Sequence, residues 1–155
     1  VLRSHARYRR EEALAALGWG SPGNHQTGVA WCRDANVDAL FVTLRKESFS
    51  PTTRYRDYPV SPDLFHWESQ NSTSLASPTG RRYVAGRSEG GSEAESTVVL
   101  FVRETTADDV GTAPYVCLGA AAHVSHQGEK PIAITWRLER PMPAGLLAAG
   151  RVVAS

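Results

Sequence analysis

The stretch Val37-Asp-Ala-Leu-Phe-Val-Thr-Leu44 decides the fold class of this chain. With Phe41, Val42 and Leu44 side by side, it is too apolar for a strand whose second face meets water. Strands that are apolar on both faces lie in the centre of a sheet or under a covering layer. We therefore predict a central or covered β-strand at this position, and other elements arranged around it.

Runs rich in β-branched and aromatic residues continue on both sides of this strand and predict a sheet. The predicted strands lie at 29–33, 37–44, 81–87, 96–104, 114–126 and 130–139. Residues 6–17 have the spacing of a helical face that ends at Gly18, and the tail after residue 140 predicts a short helix that packs Leu146 and Leu147. The prediction is an α+β fold with a curved, mostly antiparallel sheet of about six strands, an N-terminal helix and a short C-terminal helix. The loops are too short for βαβ crossovers.

The length and the cysteine content indicate one domain in a reducing compartment. A chain of 155 residues can bury a sizeable core without disulfides. Cys32 and Cys117 each lie in an apolar run, which is typical of a buried, unpaired thiol. No apolar run approaches the ~20 residues that span a bilayer, and no signal peptide is evident. We expect a single cytoplasmic domain, 1–155, without membrane contact and excised from a larger protein, because no Met begins the chain.

The sequence carries no familiar catalytic or metal-binding motif. Walker A, HExxH and GxSxG patterns are missing, as are clustered carboxylates of the nuclease type. His123 and His126 would point to opposite faces of a regular strand, which is a poor arrangement for a metal. We therefore predict a non-catalytic binding domain without a cofactor or metal.

Residues 50–72, SPTTRYRDYPVSPDLFHWESQNS, are predicted to form a binding loop, because the stretch has no overall periodicity. Thr53, Arg54 and Arg56 are donors of the kind that hold phosphate oxygens. Tyr58-Pro59 offers a small, rigid apolar surface. From Asp63 the stretch alternates into a predicted strand, with His66 and Glu68 on one face and Phe65, Trp67 and Ser69 on the other. His66, Gln70 and Asn71 can read bases, whereas Phe65 and Trp67 are predicted to be core residues.

Two neighbouring segments leave alternatives open. The arginines of the N-terminal helix either contact nucleic acid or pair with Glu11 and Glu12 along the helix. The Gly-rich segment 18–28 either reads base edges through residues 24–26 or is a solvated connection.

Several segments together resemble known families. They are TTRYRDY, LFHWESQNSTS, the Gly80-x-x-Tyr83 turn, VVLFVRE and YVCLGAAAHVSHQGEKPIAITWRLERPMP, which together span about residues 5 to 145. The pattern resembles an uncharacterised domain at the C-terminal end of superfamily-two helicases. It is more similar to the sulfur-binding domain of type IV, modification-dependent restriction endonucleases, which recognises phosphorothioate-modified DNA.

This resemblance implies a partner and a site. The partner would be double-stranded DNA with phosphorothioate linkages, and the parent chain would carry a nuclease domain. The family's apolar cup for sulfur corresponds to Tyr58 and Pro59. Its remaining DNA contacts correspond to His5, Arg7 and Arg10 near the N-terminal helix, and to Arg81 or Arg82 beyond the cup.

The chemistry of sulfur is consistent with such a cup. A phosphorothioate keeps its negative charge, but its sulfur is larger and less strongly hydrated than oxygen. Burying an oxygen with no donor facing it costs on the order of 1–3 kcal/mol, whereas sulfur avoids most of this cost. The alternatives are a methylated-base reader or a general helicase accessory domain that stacks bases, and, in another class, a nuclease or a protein-interaction module.

Overall fold

A computed structural model describes residues 3–18, 28–32, 35–45, 57–69, 73–84, 96–105, 107–108 and 111–147. The strands are β1 (Arg7–Tyr8), β2 (Val29–Cys32), β3 (Val37–Arg45), β4 (Tyr58–Ser61), β5 (Leu64–Glu68), β6 (Thr97–Thr105), β7 (Ala107–Asp108), β8 (Gly111–Thr112), β9 (Tyr115–Gln127) and β10 (Ala133–Leu138). The helices are α1 (Arg10–Ala16) and α2 (Pro78–Val84), and residues 144–147 form a further helical turn.

The main sheet is mixed but mostly antiparallel. Its order is β2-β3-β6-β9-β10-β5-β4, with β1 paired to β9, and β7 and β8 form a separate two-stranded sheet. Only β3 and β6 pair in parallel among the strands described. The α+β class and the antiparallel character are thus confirmed, whereas the count of about six strands is wrong. The additional strands β1, β4, β7 and β8 are too short to show a period-two pattern in the sequence.

The central position of β3 is confirmed. It lies between β2 and β6, and Leu40, Phe41 and Val42 are all buried although they alternate between the two faces of the sheet. One face contributes to an inner core with Leu40, Val42, Leu44, Phe65, Trp67, Tyr83, Val98, Leu100, Val102, Leu118, Ile132, Ile134, Trp136, Leu138 and Met142. The other face contributes to an outer core with Ala13, Leu14, Cys32, Val37, Ala39, Phe41, Val99, Phe101, Tyr115 and Cys117.

The lining of one cavity shows that the sheet is bent. Val42 on β3 and Trp67 on β5 both line it, although β6, β9 and β10 lie between these strands in the sheet. A flat sheet would hold them too far apart for this, since neighbouring strands are about 4.8 Å apart. The curvature brings the β5 edge towards β3, and this approach shapes the cleft described below.

The N-terminal helix is shorter than predicted. It begins at Arg10 because Arg7 and Tyr8 pair with Val116 and Tyr115 on β9. The N–H of Arg9 donates to a carboxylate oxygen of Glu12 at 3.0 Å, as in a capping box. Ala13 and Leu14 anchor the helix in the outer core.

The prediction of a strand at 81–87 is wrong, because residues 78–84 form α2. Ser77 caps this helix by accepting the N–H of Gly80 at 3.0 Å, and Pro78 occupies its first position. Both are ordinary start signals for a helix. The Tyr83-Val84 pair favoured a strand, but Tyr83 is buried in the inner core from the helix instead.

The predictions for the two cysteines and for the packing of the C-terminal leucines are confirmed in the described part of the chain. Cys32 and Cys117 are buried and form no disulfide. Leu146 and Leu147 of the C-terminal turn pack against the inner core. None of the helices described is long and apolar enough to cross a membrane.

Candidate nucleic-acid interface

Much of the predicted binding loop is a β-hairpin. Residues 58–61 and 64–68 pair antiparallel as β4 and β5, with Pro62 and Asp63 between them. The hydroxyl of Ser61 donates to a carboxylate oxygen of Asp63 at 2.9 Å, which supports this short turn. The prediction of an aperiodic loop is therefore wrong for β4, which is too short to show periodicity. The strand predicted from residue 63, with Phe65 and Trp67 on one face and His66 and Glu68 on the other, is confirmed as β5.

Two site residues predicted from the sequence meet on the hairpin. Tyr58 and His66 are cross-strand partners, and their rings stack with centroids 4.7 Å apart and planes inclined by 17°. Both side chains are partly exposed. The pair therefore presents two nearly parallel aromatic rings at the edge of the sheet.

Pro59 lies on the other side of the strand. It is paired with Phe65 of the inner core and is buried, because consecutive residues of a strand point to opposite faces. The pairing register shifts between Pro59 and Ser61, so Val60 is the additional residue of a β-bulge and is 51% exposed. Tyr58 and Val60 thus provide the accessible apolar surface here, and Pro59 supports it from the inside.

The stacked pair begins a polar row across four strands. His66 pairs with Thr135 on β10, and Thr135 pairs with Ser125 on β9. These three side chains share one face of the sheet and belong to neither core. On the next row of the same face, Glu68 and Gln127 flank Ala133. Among the residues described, this face of β4, β5, β10 and the end of β9 is a polar surface that no helix covers; we call it the polar face.

The two candidate arginines of α2 point in different directions. Arg81 is exposed. Arg82 turns inward and binds Asp38 through Nε at 3.0 Å and Nη2 at 3.2 Å, while its guanidinium lies 3.9 Å from the ring centroid of Trp31. Asp38 also accepts the hydroxyl of Ser96 at 2.6 Å. Arg82 therefore fastens α2 to β3, and Arg81 is the arginine of α2 that a ligand can reach.

The N-terminal candidates lie around the beginning of β9. His5 and Arg7 are exposed, and the backbone N–H of His5 donates to the carbonyl of Cys117 at 2.6 Å. Arg10, at the start of α1, donates from Nη2 to the hydroxyl of Tyr115 at 3.2 Å. Its guanidinium lies 4.9 Å from the ring centroid of Phe41.

Arg103 was not predicted as a site residue. It donates from Nε to Thr43 Oγ1 at 2.8 Å and from Nη1 to the carbonyl of Ala113 at 3.0 Å, and lies 4.3 Å from the ring centroid of Tyr115. Burial lowers the pKa of its guanidinium; Tyr115 partly opposes this shift, and Arg10 adds to it. The available signal was an arginine at the end of the apolar run VVLFVRE, in alternation with Val99 and Phe101.

A cleft of about 290 Å³ separates these arginines from the hairpin. Arg10, Arg103, Phe41, Thr43 and Tyr115 line one side, and Asp57, Trp67, Glu68 and Ser69 line the other. Asp57 Oδ1 accepts the backbone N–H of Glu68 at 2.9 Å. The cleft therefore extends from the two arginines to β5, the strand that carries His66.

Other predicted site residues lie outside the described part of the chain. These are Thr53, Arg54, Arg56, Gln70 and Asn71, together with the segment 24–26. Their assignments as phosphate or base contacts remain predictions.

The expected orientation of the two C-terminal histidines is wrong. His123 Nε2 and His126 Nδ1 are 2.8 Å apart, and both residues face the inner-core side opposite Trp136 and Ile134. Val124 is the additional residue where the register shifts, so the normal alternation fails. Within the described residues, no group of three or more histidine, cysteine or acidic side chains could hold a metal ion.

Comparison with protein families places most of the chain in one family. Residues 2–149 match the family described as a domain of unknown function, DUF3427. No curated protein matches the chain.

Proposed function

The chain belongs to the DUF3427 family, and we propose that it is a non-catalytic domain that binds phosphorothioate-modified double-stranded DNA. The observation that carries this proposal is the stacked pair Tyr58 and His66 on the polar face. In this proposal the domain serves a cytoplasmic restriction system, in which another domain of the parent chain cuts the DNA.

Tyr58 is assigned the contact with sulfur. Its ring face and the neighbouring Val60 offer an apolar surface next to an imidazole, so a weakly hydrated sulfur can approach at small desolvation cost. A phosphate oxygen at the same place would lose water without gaining a donor, at about 1–3 kcal/mol. This corresponds to a preference of about ten- to a hundredfold, since ~1.4 kcal/mol is a factor of ten.

Pro59 has a supporting role in the same cup. Because it is buried opposite Phe65, its ring holds the backbone of β4 against the inner core. It also leaves no unpaired N–H of its own on an edge strand. The dipeptide therefore works as one rigid unit, in which Tyr58 contacts the ligand and Pro59 fixes its position.

Affinity for DNA in general comes from other side chains. The exposed His5, Arg7 and Arg81 are available for phosphates, as Thr53, Arg54 and Arg56 are predicted to be. Contacts of this kind do not depend on sulfur and weaken as salt rises. His66 lies beside Tyr58, so it can reach a base next to the modified linkage, a role that the sequence also predicts for Gln70 and Asn71.

A gel-shift comparison of two duplexes that differ by one phosphorothioate tests the proposal. Wild-type protein should prefer the modified duplex by about ten- to a hundredfold. Tyr58→Ala should bring the two affinities together while general binding persists, and Tyr58→Phe should retain the preference because the ring face remains. Arg140→Gln is the control, since Arg140 is exposed and is assigned no contact with DNA. Equal wild-type affinity for both duplexes at several salt concentrations would refute the proposal.

The stacked rings also favour a second candidate, an accessory domain that binds single-stranded nucleic acid. Base stacking on an aromatic side chain contributes about 1–3 kcal/mol per base and tolerates any sequence. A single-stranded arm in the same assay separates the two functions. If single strands bind more tightly than either duplex, and Tyr58→Ala removes that binding, the accessory role is correct.

A further inference from the structure

Arg10 and Arg103 converge on one aromatic ring. Their guanidinium carbons lie 5.9 Å and 4.3 Å from the ring centroid of Tyr115. One arginine comes from the start of α1 and the other from β6, so the outer core holds both in place. Two positive groups are thereby brought close together at the mouth of a cleft.

Neither arginine has an acidic partner among the described residues. Arg10 donates to a phenol, and Arg103 donates to a threonine hydroxyl and a backbone carbonyl, all of which are neutral. Arg82 shows the contrasting case, since Asp38 neutralises its charge. Holding two like charges together without a counterion is unfavourable, so an anion that binds between them gains affinity.

The arrangement leaves donors available for a ligand. In its bonds to described residues, Arg10 uses Nη2, which leaves Nε and Nη1. Arg103 uses Nε and Nη1 in the same part of the chain, which leaves Nη2. Thr43 and Ala113 hold the Arg103 guanidinium in a fixed orientation, which reduces the entropy lost on binding. The cleft of about 290 Å³ has room for a tetrahedral oxyanion and several waters, at about 30 Å³ for each water.

We propose that Arg10 and Arg103 form a phosphate-binding site that takes one backbone phosphate of the bound nucleic acid. Arginine suits this ligand because its planar fork matches the oxygens of a phosphate. Asp57 and Glu68 also line the cleft, and their carboxylates repel a phosphate, so the ligand is placed against the two arginines. The identity of the ligand as DNA rests on the proposed function, whereas the existence of an anion site does not.

Inorganic phosphate tests the site without DNA. Thermal unfolding is measured in phosphate and in chloride at equal ionic strength and pH, because a ligand that binds the folded state raises Tm. Phosphate should raise the Tm of wild type and of Arg140→Gln, and the rise should be absent in Arg10→Gln. Arg103→Lys, which keeps a positive charge but lacks the planar fork, should retain only part of the rise. An equal response to phosphate and chloride in wild type, or an undiminished response in Arg10→Gln, would overturn the site.

DNA binding at several salt concentrations gives the second readout. The logarithm of the binding constant falls linearly with the logarithm of the salt concentration, and each phosphate contact makes this slope steeper by about 0.9. Arg10→Gln should reduce the slope by about one and leave the ratio between modified and unmodified duplexes unchanged. If phosphate raises Tm but the protein does not bind DNA, the anion site is supported and the proposed function is refuted. Full sulfur preference with an unchanged slope in Arg10→Gln would reject the site and keep the proposed function.

Discussion

At the scale of single residues, neighbouring arginines differ in their exposure and in the groups that they contact. Arg81 and Arg82 are adjacent, yet one is exposed and the other is held by Asp38, which is 44 positions away in the chain. The sequence shows both arginines but contains no local sign of their partners. The same holds for Arg103, whose importance becomes visible only when Tyr115 and Arg10 lie beside it.

The pair of Arg82 and Asp38 gives a stability prediction. Asp38 is 2% exposed, so Asp38→Ala leaves the mostly buried guanidinium of Arg82 without its counterion and removes the acceptor of Ser96. Removing one partner of a buried pair costs about 3–5 kcal/mol. Urea unfolding of Asp38→Ala, of Arg82→Met and of the double variant measures this cost. The double variant should lose less stability than the sum of the single variants, and strict additivity would contradict the assignment of a coupled pair.

At the scale of elements, the boundaries that sequence patterns missed have local causes. The Ser77-Pro78 signal of α2 was present, but a short run with Tyr83 and Val84 fits a strand equally well. The bulge at Val124 has no comparable sequence signal, and it reverses the side on which His123 is expected. A second register shift, between Leu100 and Phe101 on β6, lies opposite Gly119 with φ +83°, a backbone conformation that glycine adopts without strain.

The start of α2 gives a second stability prediction. A Cβ at Gly80 would collide with the backbone carbonyl oxygen of Ser74, so Gly80→Ala should destabilise the protein although alanine favours helices. Forcing a group into such a packed place costs about 1–3 kcal/mol. Gly145→Ala is the matched control, because Gly145 lies in the C-terminal helical turn with nothing within 4 Å of a Cβ. Chemical denaturation should show a loss for Gly80→Ala alone, and equal stability of the two variants would contradict the predicted collision.

At the scale of the whole molecule, the sequence predicted the layers but not the order of the strands. Apolar residues on both faces of β3 indicated a covered central strand, and Phe65 and Trp67 were correctly predicted as core. The parallel pairing of Val37 with Thr97 was not predicted, because the chain between β3 and β6 first forms the hairpin and α2. Hydrophobic patterning indicates whether a side chain is buried, but it carries no information about which distant strand it meets.

Because two thiols and a phenol are buried in the cores, we predict that the protein loses stability at alkaline pH. Burial raises the pKa of Cys32 and Cys117 in the outer core, and it raises that of Tyr83 in the inner core. In the unfolded chain, a cysteine thiol ionises at about pH 8.5 and a tyrosine phenol at about pH 10. Above these values the unfolded state has released protons that the folded state still binds, so the free energy of unfolding falls as pH rises through that window.

The measurement is urea unfolding between pH 7 and pH 10.5. Stability should be fully present below about pH 8 and should decline progressively above it, since the thiols of the unfolded chain begin to ionise there. Tyr83→Phe removes the buried phenol and should flatten the upper part of the decline, while the part due to the two cysteines remains. Cys32→Ala should instead flatten its lower part. An unfolding free energy that stays constant or rises above pH 9 in wild type would show that the folded state does not keep these groups protonated, contrary to their burial in the two cores.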